Sequence, residues 1–144
     1  AVLYSAYEIV EDAKDKVADA LAGMGLDEMD PLVTGNMIED QFLRCWEKFR
    51  QSSMSDHTEV MQMEQLARHR QLLLSYERFE VVYRVHGEKQ ARARRLLGVA
   101  VDATPQAIKT SYNSLILKFH PDKRGGQELL LMRLLNDAKT LLDL

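Results

Sequence analysis

Two apolar stripes, set apart by a proline and a glycine pair, constrain this chain more than any other feature. The first is Ile108, Tyr112, Leu115 and Phe119, recurring at 4, 3 and 4 residues, the one-sided pattern of an amphipathic helix. The second is Leu131, Leu134, Leu135, Ala138 and Leu142. Thr104-Pro105 opens the first helix with an N-cap hydroxyl and a proline at the first helical position, where a missing N–H costs nothing. Pro121 must end that helix, since its ring pushes His120 out of the helical region. Gly125-Gly126 then lets the chain reverse. Two helices of ~14 to 18 residues joined by so short a link lie antiparallel, stripe against stripe. His120, Pro121 and Asp122 therefore fall at the exposed tip of a helical hairpin.

The rest of the chain also reads as helix, and no segment alternates like a half-buried strand. Ala6, Val10, Ala13, Val17 and Ala20 share one face of a first helix that stops near Gly23 to Gly25. Pro31 fixes a loop. Asn36 and Glu39 have the spacing of a capping box, opening a helix with Ile38, Phe42, Cys45 and Phe49 on one side and Trp46 as a core anchor. Asp56 and Glu59 mark another start. From there a single long helix is expected through His86, with a stripe of Leu72, Tyr76, Phe79, Tyr83 and a packed His86. After Gly87, helical chemistry resumes up to Gly98. The fold class is all-α: an N-terminal helical bundle over residues 1–88, then a second region over 89–144 that contains the hairpin.

Composition narrows the function. A net charge of -3 gives no general attraction to nucleic acid or anionic lipid. The one cysteine, Cys45, cannot form an internal disulfide, which fits a reducing compartment and a cytoplasmic location. No apolar run approaches the ~20 residues that span a bilayer. The sequence begins at Ala1 rather than Met, which leaves room for a removed signal or anchor. His57, His69 and His86 lack a mate at metal-ligand spacing, and neither a phosphate-binding glycine loop nor a nucleophile elbow occurs. No enzyme activity, metal or cofactor is expected.

The stretch LLGVAVDATPQAIKTSYNSLILKFHPDKRGGQELLLMRLLNDAKTLL resembles the J-domain, the module by which DnaJ-type co-chaperones engage the DnaK-type heat-shock ATPase. Leu97 to Val99 is similar to the end of that family's first helix, ATPQAIKTSYNSLILKFHPDK to its second helix and signature loop, and LNDAKTLL to the end of its third helix. The resemblance implies that His120, Pro121 and Asp122 trigger ATP hydrolysis in the partner. It also implies that Lys109, Tyr112, Lys118 and Lys123 face that partner, while Leu117, apolar in the polar arc of Gln106, Lys109, Thr110, Asn113 and Ser114, is expected to make a contact either with the ATPase or with the chain's own N-terminal part. The chemistry is coherent. Proline stiffens the loop, so little entropy is lost on docking, and Asp122 can accept charge-assisted hydrogen bonds. His120 can donate or accept near neutral pH.

Departures from the family pattern carry expectations of their own. Asn113 and Ser114 occupy positions that are commonly basic, which weakens attraction to an acidic partner surface. Ala93, Arg94 and Lys139 stand where the family often has tyrosines, so this core should lean on the preceding helix for burial. The leading reading is a J-domain co-chaperone that stimulates a DnaK-type ATPase and brings it to a client or anchoring protein held by residues 1–88. The methionines, seven in the whole chain and several of them in MSDHTEVMQM, suggest adaptable apolar contact surface, and loose core packing explains them as well. The alternative is a J-like scaffold that binds proteins without activating the ATPase. Nucleic-acid binding through Arg92, Arg94 and Arg95 is the weakest reading, given the acidic net charge.

Overall fold

The structure, a computed structural model, describes residues 11–26, 33–52, 56–119 and 128–143, with side chains from residue 14 onward. Among the described residues six α-helices follow one another: α1 (Glu11–Gly23), α2 (Gly35–Gln51), α3 (His57–Leu74), α4 (Glu88–Leu97), α5 (Pro105–Leu117) and α6 (Leu130–Leu142). A single 3-10 turn, Glu77–Phe79, stands between α3 and α4. The protein is all-α, and none of the described elements is a strand. None of the described helices is long and apolar enough to cross a membrane.

The chain divides into two compact units, and the division falls within α2 and within α3. The first unit comprises residues 1–44 and 65–82, the second 45–64 and 83–144.

In the first unit α1 buries Val17, Ala20 and Leu21, continuing the face that the spacing predicts, and Met24 is buried just beyond it. Ala6 and Val10, and the side chain of Ala13, lie outside the described residues. The helix stops at Gly23, with Gly25 in the left-handed region just beyond, as glycine punctuation predicts. Ile38, Phe42 and Leu43 are buried from α2, and Ala67, Leu73, Tyr76 and Phe79 from the later segment.

Two expectations fail. Asn36 and Glu39 do not form a capping box. Thr34 caps α2 instead, its hydroxyl accepting from the Met37 N–H at 3.2 Å. Asn36 spends its amide on a distant backbone: it donates to the Val82 carbonyl at 2.9 Å and accepts from the Val82 N–H at 2.8 Å. Glu39, 5% exposed, takes two bonds from Arg70 at 3.0 and 2.7 Å, and that guanidinium also lies 5.4 Å from the Phe42 ring centre. Sequence spacing reads local devices; both side chains are claimed by long-range partners.

The long helix through His86 is also not formed. α3 ends at Leu74, the 3-10 turn buries Phe79, and Glu80 leaves in an extended conformation. The run Phe79 to Val85 is rich in β-branched and aromatic residues, which lose side-chain freedom in a helix. The Asn36 amide satisfies both the N–H and the carbonyl of the non-helical backbone at Val82, much as a neighbouring strand would. Tyr83 and His86, placed on the buried stripe by periodicity, are exposed.

The second unit is built on α4, α5 and α6, with α6 packed against both others. The predicted hairpin of α5 and α6 is present, and Ile108, Leu115 and Phe119 face Leu131, Leu135 and Ala138 in a buried core. Thr104 caps α5 as the sequence indicates, accepting from the Ala107 N–H at 3.1 Å, with Pro105 directly after it. The end of α2 completes the core. Trp46 is fully buried, its indole donates to the Leu96 carbonyl at 2.7 Å, and its ring lies 6.3 Å from that of Phe119. Phe49 joins them at 5.5 and 5.9 Å. The aromatic bulk thus comes from α2 and not from the helix directly before α4, where the sequence placed it: Trp46 and Phe49 supply a hairpin that is short of aromatic residues.

Candidate functional site

The site grows from α5 and the turn that follows it. The cap at Thr104 fixes where the helix begins, and Ile108 and Leu115 anchor its buried face. The opposite face then follows from the 3.6-residue period. Gln106, Lys109, Thr110, Asn113, Ser114 and Leu117 are all exposed, forming one continuous arc. Lys109 therefore stands free on the surface, and Leu117 is 73% exposed at the far end of the arc.

Tyr112 is half-buried between the two faces, with the Lys139 ammonium 5.4 Å from its ring centre. Lys139 also stands 3.5 Å from Asp143, one turn on. Lys139 thus covers Tyr112 by a cation–π contact.

Lys118 differs from Lys109. It is the C-cap residue of α5, part-buried, and its ammonium donates to the Ser52 carbonyl beyond the end of α2. The same ammonium lies 5.7 Å from the Phe49 ring centre. His120, Pro121, Asp122 and Lys123 lie outside the described residues. Of the residues named from sequence, Lys109 and Leu117 thus share an exposed face, Tyr112 borders it, and Lys118 turns inward.

Two residues that sequence reasoning missed flank this site. Ser52 receives Lys118, and Glu64 of α3 accepts from the N–H groups of Leu130 and Leu131 at the start of α6. One signal was there to be read. α6 starts at a position preceded by Leu129, which has no capping side chain, so its first amides needed a partner from elsewhere.

The basic cluster of α4 is partly compensated. Arg95 pairs with Glu47 at 2.5 Å and Arg92 with Glu88 at 3.6 Å. Arg94 and Arg50 line an open cleft of about 350 Å3 next to Gly98. Gly98 ends α4 with φ of 70°, and its N–H and that of Val99 both return to the Arg94 carbonyl, at 2.7 and 3.1 Å. Among the described residues, no group of three His, Cys, Asp or Glu side chains is placed to hold a metal ion.

Residues 95–142 match the DnaJ domain family model, so the last third of this sequence is a J-domain, and the region before it is left unassigned. No solved structure matches the chain. A J-domain marks a co-chaperone of the DnaK-type ATPase in general terms, and the exposed arc of α5 lies on the second helix of that domain.

Proposed function

We propose that the protein activates ATP hydrolysis by a DnaK-type chaperone through His120, Pro121 and Asp122, and recruits it to a client held by the N-terminal helices. The observation that carries this reading is the DnaJ domain match over a segment that contains the intact His-Pro-Asp triplet between α5 and α6. The solvated face of α5, from Lys109 to Leu117, supports it by offering the partner a mixed cationic and apolar surface. In this reading the protein is no enzyme and needs no metal or cofactor. Its action is to bind a conformation of the ATPase from which hydrolysis is faster. Holding a client on the same chain raises the local concentration of chaperone around it.

A second reading, a J-like scaffold that binds without activating, draws support from Asn113, Ser114 and the inward turn of Lys118, which together leave Lys109 as the one cation on the exposed arc of α5. Pairing of Arg92 and Arg95 with glutamates speaks against a nucleic-acid role.

Steady-state ATP hydrolysis by a DnaK-type chaperone, followed as this protein is added, separates the two. Activation predicts a saturable rise in rate. The Asp122→Asn variant should move its half-maximal concentration up by about tenfold or more, the range for a lost charge-assisted hydrogen bond. A flat response from the folded native chain favours the scaffold.

A further inference from the structure

We propose that Glu64 is a positioning residue of the J-domain hairpin, and that residues 45–64 are an operating part of this J-domain rather than a neighbour of it. α6 begins with no cap of its own: Leu129 precedes it and its first turn holds no acidic residue. Its leading amides would be orphans in a buried setting. Glu64 takes both. Its Oε2 accepts from the Leu130 N–H at 2.9 Å, and its Oε1 accepts from the Leu131 N–H at 3.1 Å. The residue is 3% exposed, so the carboxylate has exchanged water for these donors and for the positive end of the α6 dipole.

A mirror-image contact stands on the other shoulder of the hairpin. The Lys118 ammonium donates to the Ser52 carbonyl, at the negative end of α2. An acid therefore caps the N-terminus of one helix and a base the C-terminus of another, each across 66 residues of sequence. His120, Pro121 and Asp122 lie between Lys118 and Leu130 in the chain. Both residues from which that link departs and returns are thus tied to the same stretch, Ser52 to Glu64. The DnaJ family match begins only at residue 95 and contains neither Ser52 nor Glu64. The functional half of this inference rests on the activation reading above.

Amide hydrogen exchange on the full chain tests the contact without reference to any partner. Amides in the first turn of a helix are protected only when something caps them. Glu64→Leu should speed exchange at Leu130 and Leu131 by about tenfold, and Glu64→Gln, which keeps one acceptor oxygen, by less. The amides of Ala93 and Leu97 in α4 should keep their protection. In the ATPase assay, the half-maximal concentration should rise in the same order, Gln before Leu, at temperatures where all three proteins are folded. Should Glu64→Leu fail to fold, the Gln variant carries both readouts. Unchanged exchange at Leu130 and Leu131 overturns the proposal. Faster exchange with an unaltered ATPase response also overturns it, leaving Glu64 as a cap without a positioning role. If the native chain stimulates no ATPase, the activation reading falls, and exchange alone decides whether Glu64 sets the start of α6.

Discussion

Gly98 shows how much of this molecule is settled by single residues. It sits at φ of 70°, a region that costs a side-chain-bearing residue about 1 kcal/mol or more. A Cβ at this position would also run into the Arg50 guanidinium. Gly98→Ala should therefore destabilise the protein by about 2 kcal/mol, read as a lower urea midpoint followed by Trp46 fluorescence. Trp46 is the only tryptophan, fully buried beside Phe49 and Phe119, so its emission reports directly on the second unit. At this scale the sequence was informative. Gly98 as a stop, Thr104 as a cap and Trp46 as an anchor could all be named because each acts through its own neighbours or its own bulk. Asn36, Glu39 and Glu64 could not, since their partners lie 46, 31 and 66 residues away.

At the scale of the element, α4 depends on Glu88 in a way that acid will expose. The Arg84 backbone N–H donates to its carboxylate at 2.9 Å, and the Val85 N–H and the Arg92 guanidinium add to that, holding its carboxyl below the usual glutamate range. A carboxyl whose folded value is depressed contributes stability that is complete above the unfolded value and is lost as pH falls through the folded one. The first turn of α4 should consequently fray as pH drops below the ordinary glutamate range. Carbon-detected titration should find Glu88 ionised at a pH where exposed glutamates are already protonated, and Glu88→Gln should remove the pH dependence of that turn. The reading of the elements themselves divides on the same physics. α5 and α6 follow from apolar period, proline and glycine because their packing face and their ends agree. The segment after Leu74 misleads because its apolar spacing favours a helix while its β-branched and aromatic residues do not, and the Asn36 amide sides with the extended form.

For the whole molecule, the unit that contains the J-domain includes residues 45–64 as well as 83–144. The aromatic cluster of Trp46, Phe49 and Phe119 and the two crossed caps give that grouping a physical content. The resemblance in the last third of the sequence located α5 and the link beyond it, and its missing tyrosines signalled a core short of aromatic bulk but not that α2 would supply it. It could not show that Lys118 is turned inward, because Ser52 carries no mark in the sequence beyond being a serine after a helix. What the chain does as a whole comes down to whether the His-Pro-Asp link acts on an ATPase. Single-turnover ATP hydrolysis by a DnaK-type chaperone isolates that step from nucleotide release, with the native chain and its His120→Gln variant added in turn. Faster hydrolysis with the native chain and none with the folded variant is the expected outcome. Equal rates with both, whether stimulated or not, would mean that the link is not the acting group.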